Sequence, residues 1–178
     1  MEFKMNSIKK ENGITLIALI VTIIVLMILS GITINEGISL IGNAKMESIM
    51  TNMITLKSRV KVLTEESNSK VWDLAEGEKS SNLHTIFIND YKMNDDATLN
   101  SEQSEQVSSE LTGTKVCYKL TDEAVEIMAF TGADAPENYI LVFDSNDYDK
   151  MDIIYAPGIN YEGEVLYSLS YMNEKKEK

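Results

Sequence analysis

His84 and Cys117 are the only histidine and the only cysteine in this chain, so imidazole or thiol chemistry must centre on one of them. Around His84 stand Ser80, Ser81, Asn82 and Thr85, and the nearest acids along the chain are Glu78 and Asp90. There is no Gly-x-Ser-x-Gly elbow, no Walker loop and no Cys-x-x-Cys pair. A Ser-His triad or a histidine metal centre cannot be assembled from these spacings, and His84 reads as a surface or half-buried residue. Cys117 lies in 115–120, where polar and apolar residues alternate as in a strand, and it reads as a buried strand cysteine. The expectation is a chain that is not an enzyme and carries no cofactor.

The densest group of hard oxygen ligands is the turn 144–152. Asp144, Asn146, Asp147, Asp149 and Asp152 fall within nine residues, and calcium takes six to eight such oxygens. As an EF-hand loop the stretch fails, because Tyr148 holds the fifth position and Asp149 the sixth, where glycine is needed. Asp and Asn are equally expected in a hairpin turn, whose dihedrals they tolerate. No metal is assigned, and the turn stands as a weak calcium candidate.

The elements that would position these groups read as an α+β protein. From Ile38 to Leu63, apolar residues recur at helical spacing: Ile38, Ile41, Ile49, Met53, Leu56, Val60 and Leu63, with Met46, Met50 and Ile54 widening the face. With no proline before Pro136, one helix from about Ile14 to Ser67 is expected. Gly31, Gly37 and Gly42 mark a bend or melted turn within it, each weakening a helix by up to about 1 kcal/mol. Val71-Trp72-Asp73-Leu74 is a short apolar patch suited to docking on that helix. Residues 83–91 fit either a short helix or a strand. Residues 101–111 suit a solvated helix capped by Ser101, although 94–112 has a composition equally suited to disorder. A strand at 115–120, a helix at 122–129 capped by Thr121, and strands at 139–143, 152–155 and 165–171 complete the pattern. The intervening turns fall at 144–149 and 157–163. The tail 173–178 is charged and reads as loose.

In front of this head stands an uncharged run. Residues 14–34 are 21 positions without a charge, roughly 32 Å of helix, which matches a hydrocarbon core of about 30 Å. The run is too long for a cleaved secretory signal, since Ile32, Thr33 and Ile34 extend it past Ser30-Gly31. Lys4, Lys9 and Lys10 precede it and Glu36 follows it, which leaves the N-terminus in the cytoplasm and places the head outside. The 143 residues after Asn35 carry 26 acidic and 13 basic side chains. Such a head suits an extracellular location and argues against nucleic acid or anionic lipid headgroups as its partners.

The start of the run, Lys9-Lys10-Glu11-Asn12-Gly13-Ile14-Thr15-Leu16-Ile17-Ala18-Leu19, resembles a type IV prepilin (class III) signal. The resemblance covers about 25 residues closely and beyond them only the layout. It implies cleavage after Gly13 by a prepilin peptidase on the cytoplasmic face, giving a mature chain that begins at Ile14. Thr15, Leu16, Ile17 and Leu19 match the opening of the mature assembly helix. Ile14 stands where the family has Phe, and Ala18 where it has Glu. In the family that Glu is thought to neutralise the new amine of a neighbouring subunit, which Ala18 cannot do. The lone cysteine also excludes the C-terminal disulfide common among exported pilins.

The sequence therefore predicts a pilin-like layout, a long N-terminal helix (transmembrane half plus amphipathic half) packed on a small antiparallel β-meander head. Its parts are a basic leader (1–13), a transmembrane helix (14–35), an amphipathic continuation (36–68), a variable helix and loop region (69–114), a strand-helix-meander (115–172) and the tail (173–178). The expected role is a minor or tip subunit of a type IV pilus or of a type II secretion-like pseudopilus, in the cytoplasmic or inner membrane or in a surface filament. Its partners would be a prepilin peptidase and other pilins or pseudopilins. The alternative is an uncleaved, single-pass anchored module that binds or senses outside the cell.

Overall fold

A computed structural model describes residues 8–131 and 135–177, and among these the side chains of 18–27, 42–131 and 135–177. The chain divides into two units, 1–42 and 43–178, and helix α1 (Ile8–Lys70) contains residues of both. The helix is continuous through Gly31, Gly37 and Gly42, so no melted turn interrupts it there. Of the expected span 14–35, only the side chains of 18–27 are described; the rest of the span and the leader 1–13 lie outside the described side chains. Among the described residues, no helix is long and apolar enough to cross a membrane.

The second unit is α+β. Its four strands are β1 (Lys115–Lys119), β2 (Tyr139–Asp144), β3 (Asp147–Tyr161) and β4 (Glu164–Ser168), in the antiparallel order β1-β2-β3-β4. Helices α2 (Glu76–Asn89), α3 (Ser101–Gln106), α4 (Asp122–Ile127) and α5 (Leu169–Lys176) surround them.

Alternation along β2 sorts the interior into two layers. Tyr139, Leu141 and Phe143 join the core that contains Met46, Met53, Leu56 and Val60 of α1, while Ile140 and Val142 join a second cluster with Val107 and Leu111. Both faces are thus covered, which is why this strand is an unbroken apolar run. The buried stripe of α1 is Met46, Ile49, Met50, Met53, Leu56 and Val60, extended by Thr64 and Ser67. Ile54, expected on that face, is exposed. Phe87 of α2 is a hub of the aromatic core, its ring 5.1 Å from Phe143 and 5.4 Å from Tyr118.

Several boundaries differ from the sequence reading, each for a local reason. The stretch 83–91, ambiguous from sequence, lies mostly within α2, which buries Leu83 and Phe87. The cap of α3 is Asn100 rather than Ser101. Asn100 Oδ1 accepts from the Gln103 N–H at 2.8 Å, and Gln103 Oε1 accepts from the Asn100 N–H at 3.0 Å, a reciprocal capping box. Thr121 caps α4 as expected, accepting from the Ala124 N–H. The first hairpin turns at Ser145 and Asn146, so β3 begins five residues before the expected 152.

β3 also continues through 157–161, which the sequence reading treats as turn. Pro157, with no N–H to pair, lies where the β3–β4 register shifts between Ile154 and Ile159. Gly158 beside it has φ +71°, and a Cβ there would come within 2.5 Å of Val165. The actual turn is Glu162-Gly163, both at positive φ, as in a type I′ hairpin. The expected last strand to Tyr171 ends at Ser168, whose hydroxyl accepts from the Tyr171 N–H and starts α5. α5 takes in most of the tail expected to be loose. Leu169 and Met172 are buried, Lys175 pairs with Glu164, and Lys176 Nζ donates to Glu47 Oε1 at 2.9 Å.

Candidate functional site

Four places in the described structure carry groups with chemical capacity beyond packing: the apolar segment of α1, the acidic hairpin, the hydrogen-bonded chain through His84, and a cleft beside the end of α1.

In the apolar segment, the side chains of 18–27 are all uncharged and all exposed. Leu19, Ile20, Val21, Ile23, Ile24, Val25, Leu26 and Met27 are 44–69% exposed. The hydroxyl of Thr22, the polar exception, donates to the Leu19 carbonyl at 2.8 Å and so is satisfied within the helix. A helix that is apolar on every side has no water-facing stripe. Ala18 and Leu19 of the resemblance motif lie in this segment; the side chains of Gly13, Ile14, Thr15, Leu16 and Ile17 lie outside the described residues.

The structure does not gather the acidic hairpin around one point. Asp144 Oδ2 accepts from the Gly113 N–H at 2.7 Å and its Oδ1 from the Asn146 N–H at 2.9 Å. Those two donors hold its carboxyl below the usual carboxylate range. Asp147 accepts from the Asp149 N–H at 3.1 Å and lies 3.6 Å from Lys150. Asp152 is completely buried and serves a different purpose. Its Oδ2 accepts from the Ser108 N–H and from the hydroxyls of Ser168 and Ser170, and its Oδ1 from the N–H groups of Ile153 and Ser170. It therefore ties together the 107–111 cover, β3, β4 and α5. Among the described residues, no three His, Cys, Asp or Glu side chains converge as around a metal ion.

His84 has partners that its sequence neighbourhood does not reveal. Its Nδ1 is 2.6 Å from Tyr118 Oη, and its Nε2 is 3.5 Å from Asp95 Oδ2. Tyr118 Oη is in turn 3.1 Å from Tyr148 Oη. The chain Asp95–His84–Tyr118–Tyr148 thus links the loop after α2, α2 itself, β1 and β3. Burial pushes both phenols upward, so both remain protonated, as a hydrogen-bonding element should and a nucleophile should not. Cys117 is half-buried in β1, and burial pushes its thiol up as well. The pairings of His84 with residues 11 and 34 positions away carry no short-range sequence signal.

The cleft lies beside the turn that follows α1. Of the patch 71–74 only Val71 is buried; Trp72 is 76% exposed and does not dock on the helix as expected. A cavity of about 400 Å³ is lined by Trp72, Asn68, Glu76, Lys79, Asn146 and Asp149, among others. A second, of about 370 Å³, shares Trp72, Asn68 and Asp149 and adds Lys61, Glu65 and Ser69. The Lys79 ammonium stands 5.9 Å from the indole centroid and 3.1 Å from Glu76.

No protein-family model, curated protein or solved structure matches this chain.

Proposed function

We propose that this chain is a prepilin-like structural subunit. In this reading it is held in the membrane by the uncharged segment within 14–35, cleaved after Gly13, and assembled with other pilins or pseudopilins through the mature helix beginning at Ile14. The observation that supports this most is the exposure of eight large apolar side chains around all sides of α1 between Leu19 and Met27. Such a surface needs lipid or other apolar helices around it. These ten described residues make about 15 Å of helix, half a bilayer core, and the sequence continues uncharged on both sides from Ile14 to Ile34. Further support is the α+β head itself, whose core contains the α1 residues Met46, Met53, Leu56 and Val60.

Ala18 refines the reading. Cleavage leaves a charged amine on Ile14 in or beside hydrocarbon, where a bare charge is expensive. This subunit can offer that amine to a neighbour's Glu and returns no carboxylate of its own at position 18. One-sided pairing suits a minor or tip position in a type IV pilus or secretion pseudopilus.

The test is the mass of the protein recovered from cells that express a prepilin peptidase. The expected chain begins at Ile14, and Gly13→Val blocks its formation because the protease accepts only a small residue before the cut. Recovery of residues 1–13 intact in such a host would overturn cleavage and leave an uncleaved anchored module. In a copurification test, the wild-type chain should accompany Glu-bearing pilins in small amounts, and Ala18→Glu should incorporate better. Abundant homopolymers of the wild-type chain would defeat the tip assignment.

A further inference from the structure

Trp72 is the only tryptophan of the chain, and it is left largely in water between two shallow cavities that it lines on the same surface. An exposed indole offers a broad, rigid apolar plate with little conformational freedom to lose on binding. What surrounds it is mostly polar: the amides of Asn68 and Asn146, the carboxylates of Glu65, Glu76, Asp147 and Asp149, the ammonium groups of Lys61 and Lys79, and Ser69. An apolar occupant would leave these groups desolvated and unpaired.

The charges around the plate nearly balance, the ammonium groups of Lys61, Lys79 and Lys150 standing against the carboxylates of Glu65, Glu76, Asp147 and Asp149. Lys79 pairs with Glu76 at 3.1 Å and Lys150 with Asp147 at 3.6 Å, and the Lys79 ammonium is already within cation–π range of the indole. A basic ligand would compete with the resident Lys61 and Lys79, and an acidic one would meet Glu65 and Asp149. The fitting occupant is uncharged, with one apolar face and a rim of hydroxyls. We propose that this cleft binds a neutral saccharide, one ring face resting on Trp72 and its hydroxyls hydrogen-bonded by Asn68, Ser69 and Asp149, which line the second cavity with it. Lys79 lines the first cavity and not the second, so the ring is placed in the second.

A lone tryptophan makes the test specific, since all indole emission comes from the proposed platform. The full chain, held in a detergent without a sugar headgroup, is titrated with methyl glycosides and short oligomers of neutral hexoses and N-acetylhexosamines, and separately with an oligoarginine peptide. The expected result is a saturable change in Trp72 emission with at least one sugar and none with the peptide. Saturation-transfer NMR on the same sugar should give a signal that Trp72→Ala abolishes and that Asn68→Ala weakens by roughly tenfold in affinity. Both positions lie at the surface cleft, and unchanged tyrosine near-UV dichroism verifies that the variants fold. The proposal is overturned if no sugar gives a saturable change at tens of millimolar, if the NMR signal survives Trp72→Ala, or if only the arginine peptide shifts the emission. None of these results bears on cleavage at Gly13, so the two proposals fail separately.

Discussion

Replacing Asp152 tests most sharply whether the acidic hairpin is an internal brace or an ion site. Five donors converge on this buried carboxylate at 2.5–3.3 Å, three of them backbone N–H groups that cannot turn away. In Asp152→Ala the serine hydroxyls can satisfy each other, since Ser168 and Ser170 already lie 2.7 Å apart. The N–H groups of Ser108, Ile153 and Ser170 lose this acceptor. Ser108 and Ser170 are only half-buried, so the low end of about 1–3 kcal/mol for each orphaned group applies, and the loss is roughly 3–5 kcal/mol, a large part of the ~5–15 kcal/mol that holds a domain folded. Asp152→Asn is the more discriminating change. Whichever way the amide is turned, its NH₂ faces the Ser108 N–H or those of Ile153 and Ser170, so at least one donor is orphaned and the expected loss is about 1–3 kcal/mol. Urea unfolding of the full chain in detergent, followed by near-UV dichroism of the buried tyrosines, should show lower midpoints at unchanged slope. Trp72 is too exposed to report on the core. Millimolar calcium should leave the wild-type midpoint where it is. An Asp152→Asn midpoint equal to wild type would refute the acceptor-only role, and a calcium-dependent rise would show that the hairpin carboxylates rearrange around an ion.

Other substitutions probe the turn, the sheet and the membrane segment. At Gly113 a Cβ would stand 2.1 Å from Asp144 Oδ1, so Gly113→Ala should break the carboxylate's bonds to Gly113 and Asn146 and lower stability by roughly 1–3 kcal/mol in the same urea assay. Because the folded Asp144 carboxyl lies below its unfolded value, its contribution is fully present above the unfolded pKa of about 4 and is lost as pH falls through the folded value. Melting temperatures measured from pH 7 downward should therefore drop on the acid side, and Asp144→Asn should flatten that drop. Gly158→Ala combines positive φ with contacts to Val165 and Tyr167 under 3 Å and should lower stability by roughly 2 kcal/mol or more; an unchanged midpoint would show that β4 yields easily. Ile24→Arg, near the middle of the uncharged run, should disfavour insertion by about 3 kcal/mol and release much of the protein on alkaline extraction of membranes. Full retention would argue that the segment packs against protein instead of lipid.

The sequence by itself determined what depends on near neighbours. The 3.6-residue recurrence from Met46 to Val60 marked the buried face of α1 apart from Ile54, and the unbroken β-prone run 139–143 marked a strand. Thr121 marked its own helix, because a cap needs only the residue three positions on. Only the tertiary structure decided what depends on distant partners. Tyr171 could extend a strand by propensity, but Asp152 holds the Ser168 and Ser170 hydroxyls from another strand, and the chain turns into α5 there. Pro157-Gly158 reads as a turn until β4 lies alongside and makes it a register shift inside a strand. The Asp and Asn of 144–152 suit a calcium loop or a hairpin equally by composition. The fold places the Gly113 and Ser108 N–H groups, more than thirty residues away, where Asp144 and Asp152 reach them. The link from Asp95 to Tyr148 through His84 and the cleft at Trp72 likewise come from separate segments that the fold brings together. Periodicity encodes which face of an element is apolar; which residues of distant elements then touch is set by strand register and packing, which no local pattern specifies.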